Sequence, residues 1–259
     1  MYKNLINIIG AKCNIGQLKK GVELGPIAIK DELLNRRKIN FNYSHVNIKS
    51  LNGYYDLMNA HKFHSKPITI GGDHSIAMAT IGSSLQKYDN LKVLWLDAHA
   101  DIHTPESSES KNLHGMPLST LLGNSSIINL PVKLKRENLV YVGLRDVDKY
   151  ECKELDTIKW FSSKCVHTKG MSKILDEINY CKSDKIHLSL DVDVLDPSIF
   201  PATGTTVPHG ISCDHVSYVI DKLKDNIIAL DIVEYNPLIN NDPKCKEFII
   251  DCIRRYDKL

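Results

Sequence analysis

Short, almost unbroken apolar runs recur along the chain, separated by longer stretches in which apolar residues return every three or four positions. "LINIIG" (5–10), "PITIGG" (67–72), "LKVLWLD" (91–97), "NLVYVGL" (138–144), "KIHLSLDVD" (185–193) and "NIIALDIVE" (226–234) predict strands. Several show little polar alternation, the pattern of parallel strands covered on both faces. Helices are expected over 25–37, with Pro26 in the first turn, and over 75–88, 169–182 and 211–225. Alternating strands and helices predict an α/β fold with a parallel sheet flanked by helices. No internal repeat, low-complexity tract or Pro/Ser-rich linker interrupts the pattern, so a single domain over residues 1–259 is expected.

Ligands of open parallel sheets bind beyond the carboxyl ends of the strands, and four polar clusters sit where apolar runs end. "GGDHS" carries Asp73 and His74; "WLDAHADIHTP" carries Asp97, His99, Asp101 and His103; "SLDVDVLDP" carries Asp191, Asp193 and Asp196; "ALDIVEYNP" carries Asp231 and Glu234. In the second cluster the polar groups occupy every second position, which on an extended backbone would aim all four at one volume. Asp73 and Asp196 read as turn or cap residues, and the solitary His45, His61, His64, His167, His187 and His215 as ordinary core or surface histidines. The paired motifs differ, because several buried carboxylates without partners are costly and crowded carboxylates resist joint ionisation. A cation removes both conflicts. His74, Asp97, His99, Asp101, Asp191 and Asp193 are therefore the expected metal ligands. Four carboxylates and two imidazoles without thiolate suit Mn²⁺, with Fe, Co, Ni and Zn left open. Six ligand residues fit two ions bridged by carboxylates, so spacing alone points to a binuclear metallohydrolase.

Composition changes this picture little. The chain is 42% hydrophobic and 25% charged with a formal net charge of +2, which gives no reason to expect nucleic acid or an acidic membrane as partner. Seven scattered cysteines without a CxxC pair point to free thiols in a reducing compartment. The N-terminus lacks the apolar core of a secretory leader, and no apolar stretch is long enough to span a bilayer. A cytoplasmic location is expected.

The motifs "GGDHS", "DAHADIHTP", "HGMPLS", "SLDVDVLDPSIFPATGT" and "EYNP" resemble, in order, the signature segments of the arginase (ureohydrolase) family. "IIGAKCNIGQLKKGVELGP" and "GLRDVD" (143–148) resemble arginase segments more than agmatinase ones. The resemblance implies a three-layer α/β/α fold with a mostly parallel sheet of about eight strands, two Mn²⁺ per chain, and hydrolysis of L-arginine to L-ornithine and urea. One manganese would take His74, Asp97, Asp101 and Asp191, the other Asp97, His99, Asp191 and Asp193, with Asp97 and Asp191 bridging. Asp101 would also orient the attacking water, Glu234 would pair with the substrate guanidinium, and His114 matches the proton-shuttling histidine. Asp148 and Glu151 match contacts to the α-amino group, and Ser110 and Thr205 match positions near the α-carboxylate or α-amino end.

The chain also departs from the pattern. His103 stands where the family carries an asparagine that contacts the substrate α-carboxylate, Met116 replaces a common glutamine, and "TTVPHG" (205–210) differs from the usual continuation. The chain ends 21 residues beyond Leu238; a homo-oligomer, a trimer by resemblance, or a smaller assembly is expected. An agmatinase or another guanidino-acid hydrolase is the alternative within the same chemistry. A non-catalytic arginine- or polyamine-binding relative is the alternative outside it.

Overall fold

A computed structural model describes residues 5–36 and 39–257. Eight strands form one sheet: β1 (Ile6–Cys13), β2 (Phe41–Ile48), β3 (Ile68–Gly71), β4 (Lys92–Leu96), β5 (Leu139–Leu144), β6 (Lys159–Ser162), β7 (Ile186–Asp191) and β8 (Ile227–Val233). Their order is β2-β1-β3-β8-β7-β4-β5-β6, and every neighbouring pair is parallel. The helices are α1 (Gly25–Leu34), α2 (Asn52–Lys62), α3 (Ala77–Leu85), α4 (Pro117–Leu122), α5 (Lys149–Leu155), α6 (Ser163–Lys169), α7 (Met171–Ile178), α8 (Cys213–Leu223) and α9 (Pro243–Asp257).

Side-chain alternation divides the core between the two sheet faces. Ile6, Ile8, Ile68, Ile70, Leu94, Leu96, Leu188 and Leu190 pack with α1 and α6 to α9. Ile9, Ala11, Val93, Trp95, Leu139 and Tyr141 pack with α2 to α5. The result is the expected α/β/α arrangement, and the central strands are buried at every position of β3, β5, β7 and β8.

All six predicted strands form, each within a few residues of its predicted bounds. β2 and β6 were not anticipated. They are the two edges of the sheet, and β2 alternates between exposed and half-buried positions over most of its length. A strand with one neighbour needs no continuous apolar run. The predicted helix at 25–37 ends at Leu34, and Arg37 lies outside the described residues. The first turn expected at 75 is a 3-10 turn (His74–Ile76) capped by Asp73, whose carboxylate accepts from the Ser75 N–H at 3.1 Å. Asp73 is thus the cap that the sequence reading expects. Asp196 is likewise a turn residue, accepting from the N–H groups of Ser198 and Gly210.

Among the described residues no helix is long and apolar enough to cross a membrane. Strands β3, β8, β7, β4 and β5 are consecutive across the middle of the sheet. Their carboxyl ends are where the polar clusters leave the backbone.

Candidate metal centre

His74 follows β3, Asp97 follows β4, Asp191 ends β7 and Glu234 follows β8. Four adjacent parallel strands therefore deliver these polar residues to one edge, which explains how segments so far apart in sequence meet. His74 Nδ1 lies 3.0 Å from Asp97 Oδ2, 3.2 Å from Asp101 Oδ2 and 3.2 Å from Asp191 Oδ2. It makes no hydrogen bond of acceptable geometry to any of them. Its other nitrogen, Nε2, is 2.8 Å from Ser189 Oγ, and its ring stacks on Trp95 with centroids 4.0 Å apart. A buried imidazole with one nitrogen anchored and the other aimed bare at three carboxylates has the pattern of a metal ligand with its supporting partner. His99 Nδ1 lies 3.0 Å from Asp193 Oδ2 and 3.4 Å from Asp97 Oδ1, forming a second cluster beside the first. Asp97 contributes an oxygen to each.

Electrostatics point the same way. Burial and the charges of Asp193 and Asp97 push Asp191 well above the usual carboxylate range. Burial and Asp97 push Asp193 up to about 6. Burial opposes charge on His74, yet Asp101, Asp191 and Asp97 outweigh it and hold this histidine well above its ordinary value. The protein's own groups neutralise one another only by taking up protons, and divalent cations would neutralise them better. The donor set fits such ions.

The backbone reaches this arrangement by turns rather than by the extended stripe expected from the alternation in "DAHADIH". Asp97 Oδ1 accepts from the His99 N–H at 2.7 Å, and Asp101 has φ of 50°, in the left-handed region. The chain bends, sending Asp97, His99 and Asp101 to the clusters and His103 elsewhere. Glu234 also sits in the left-handed region, at φ 66°. Such conformations in residues other than glycine cost about 1–3 kcal/mol and persist where the surroundings fix them.

Beside the clusters opens a cavity of about 240 Å³ lined by His99, Asp101, His103, His114, Gly115, Asp146, Asp148, Glu151, Asp191, Asp193, Thr205 and Glu234. Glu234 is 4% exposed; its Oε1 accepts from the His74 N–H at 2.9 Å and lies 3.2 Å from His114 Nδ1. Despite burial, the contact with His114 keeps Glu234 below the usual range, as a carboxylate. Burial disfavours charge on His114 in turn, but Glu234 outweighs it and raises this histidine to about 9. Asp148 and Glu151 form a reciprocal capping box at the start of α5, and burial pushes Glu151 up to about 7. Ser110 is exposed, accepts from the Asn112 N–H at 3.3 Å, and is not on the cavity wall. Asp231 turns away from the site and pairs with His187 Nε2 at 2.9 Å, while Ser84 Oγ is 2.9 Å from His187 Nδ1. His187, with both ring nitrogens engaged, is the core histidine its isolation in sequence suggests.

Several supporting residues escape sequence reasoning. Gln17 Nε2 donates to Glu234 Oε2 at 2.7 Å. Trp95 Nε1 donates to Asp97 Oδ2 at 2.9 Å. The Arg145 guanidinium donates to the carbonyls of Asp193, Val194 and Leu195, bracing the turn that carries Asp193. All three lie inside motif segments, "IIGAKCNIGQLKKGVELGP", "WLDAHADIHTP" and "GLRDVD", but nothing in those segments sets them apart from their neighbours.

A parallel α/β sheet whose central strand ends gather two histidine–carboxylate clusters beside a cavity defines a class of proteins built to hold metal next to a small molecule. The arginase family model matches residues 4–255. Arginase of Staphylococcus aureus (strain COL) is 35% identical over 290 aligned residues, covering 97% of this chain and 96% of that protein. The crystal structure of arginase from Bacillus subtilis matches with a TM-score of 0.89 at 33% identity, covering 99% of each chain. That of Entamoeba histolytica arginase in complex with L-ornithine matches with a TM-score of 0.90 at 29% identity, covering 100% of each chain. The chain belongs to the arginase family and is a hydrolase.

Proposed function

We propose that this protein hydrolyses L-arginine to L-ornithine and urea with two Mn²⁺ bound per chain, as a single catalytic domain acting in the cytoplasm. The observation that carries the reading is Asp97, whose two oxygens face the two histidine clusters beside a cavity that also presents Glu234 and His114. One ion would be held by His74, Asp97, Asp101 and Asp191, and the other by Asp97, His99, Asp191 and Asp193. The bound ions would supply an activated water and charge stabilisation for attack on an electrophilic carbon.

The chain's own groups do the rest. Glu234 remains ionised, and its carboxylate presents a planar partner to a guanidinium. Gln17 fixes the orientation of that carboxylate. His114 engages Glu234 through Nδ1, which leaves Nε2 to exchange protons in the cavity. Asp148 and Glu151, joined at the start of α5, offer carboxylates to the amino end of an amino acid, with Thr205 also on the wall.

The direct test is urea release by the purified, manganese-incubated protein from L-arginine and from agmatine at equal concentration. Preference for L-arginine is expected. Preference for agmatine, or release from neither, would overturn the assignment.

A pH profile follows from His114. Its pKa lies above the ordinary value, so it carries a proton at neutral pH and must lose it before it can accept another. Activity is therefore expected to rise from pH 7 towards about 9. Bound dications oppose the proton, so the rise in the loaded enzyme centres below that value. A flat profile across this range would exclude His114 as the proton carrier.

A further inference from the structure

His103 departs from the family pattern, and the structure shows where its ring goes. Nδ1 lies 3.0 Å from Ser107 Oγ and Nε2 lies 3.1 Å from Asp148 Oδ2. The ring stacks on Tyr150, with centroids 5.2 Å apart and planes at 15°. The main-chain N–H of His103 donates to the Gly115 carbonyl at 3.1 Å, which ties this backbone to the segment carrying His114. Both ring nitrogens and one ring face are thus engaged by protein groups. An ionised carboxylate only accepts, so the 3.1 Å approach of Nε2 to Asp148 is favourable when Nε2 carries a proton.

Asp148 gains from this contact. Its side chain is 55% exposed, and a carboxylate at that exposure is otherwise free to swing. Oδ1 accepts from the Glu151 N–H at 2.8 Å, and Oδ2 lies 3.1 Å from His103 Nε2. The two contacts fix the carboxylate plane, leaving lone pairs on both oxygens for a ligand. An asparagine at position 103 is shorter, and its amide ends short of the place Nε2 reaches.

We infer that His103 is a positioning residue for Asp148, and so serves recognition of the substrate's amino group rather than its carboxylate. The inference rests on the proposed function, in which Asp148 meets that amino group. It differs from the resemblance-based expectation, which gives position 103 to the carboxylate.

Three guanidino compounds separate the two roles: L-arginine, with both groups; agmatine, with the amine and no carboxylate; and 5-guanidinopentanoate, with the carboxylate and no α-amine. His103→Ala is expected to raise KM about tenfold for L-arginine and agmatine, the worth of one charge-assisted polar contact, with kcat little changed. For 5-guanidinopentanoate the change should stay within about twofold, because no amine is present to be positioned. His103→Gln, whose amide reaches further than that of asparagine, should recover part of the loss. In an Asp148→Asn background His103→Ala should add little, since its partner's charge is already gone.

Losses confined to L-arginine and 5-guanidinopentanoate would overturn the inference in favour of a carboxylate contact. Equal losses on all three, or additive losses in the double variant, would reduce His103 to a structural role. Calorimetric titration with L-ornithine and 5-aminopentanoate makes the same comparison without turnover. A wild-type protein that releases no urea would therefore sink the proposed function while leaving the His103 contrast measurable.

Discussion

Replacing Asp97 by asparagine is expected to remove at least one bound metal and to lower urea release by on the order of 10³-fold or more, beyond the 10–100-fold typical of an outer partner. The reason lies in the two faces of this carboxylate. Oδ2 lies 3.0 Å from His74 Nδ1 and Oδ1 lies 3.4 Å from His99 Nδ1. Among the described residues it alone belongs to both histidine clusters. Asparagine keeps the size, but its one oxygen can accept from only one of the Trp95 and His99 N–H groups, which donate to different oxygens of Asp97. It loses the charge and turns an NH₂ group towards one of the clusters, where no cation can be coordinated. Metal content by mass spectrometry and urea release should fall together. A variant with full occupancy and full rate would overturn the ligand assignment.

Glu234→Gln should leave the metal content intact and lower kcat/KM for L-arginine roughly 10²-fold, about 3 kcal/mol for a buried, charge-assisted contact. The substitution preserves volume in a site that is 4% exposed, so the loss comes from charge and hydrogen bonding rather than from packing. A second readout separates this role from a structural one. Glu234 is the group that raises His114, so removing its charge lets burial pull that histidine down and moves the rise in activity to lower pH. An unchanged pH profile, or a loss of metal equal to that of Asp97→Asn, would mean that Glu234 does something else.

The largest effects thus fall on residues that local sequence already marks, while the finer ones fall on residues it does not. Ser189, Trp95 and Gln17 lie within motif segments whose pattern does not set them apart. Ser189 anchors His74 from 115 positions away, and Gln17 reaches Glu234 across 217. A glutamine in a loop and a serine in a strand look alike whether they face a cavity or solvent, so spacing could not have found them. Glu151 shows the same limit from the other side. Its capping-box position at the start of α5 is legible in "DVDKYE", but its burial against the cavity wall is not.

The sequence by itself determined the interior of the sheet and pointed to the residues that gather in the candidate metal centre. A parallel strand covered on both faces must be apolar at nearly every position, so β3, β4, β5, β7 and β8 announce themselves, and the first polar residues after such runs have nowhere to go but the sheet edge. The edge strands β2 and β6, the paths of the turns and the pairing of His103 were decided only by the tertiary structure. An edge strand can take its identity from the one neighbour it joins, as β2 does along all eight residues of β1. The left-handed turn at Asp101 breaks the alternation that would have sent His103 to the histidine–carboxylate clusters. Asp148 stands beside that histidine because β4 and β5 are adjacent and parallel, so the loops leaving them emerge side by side.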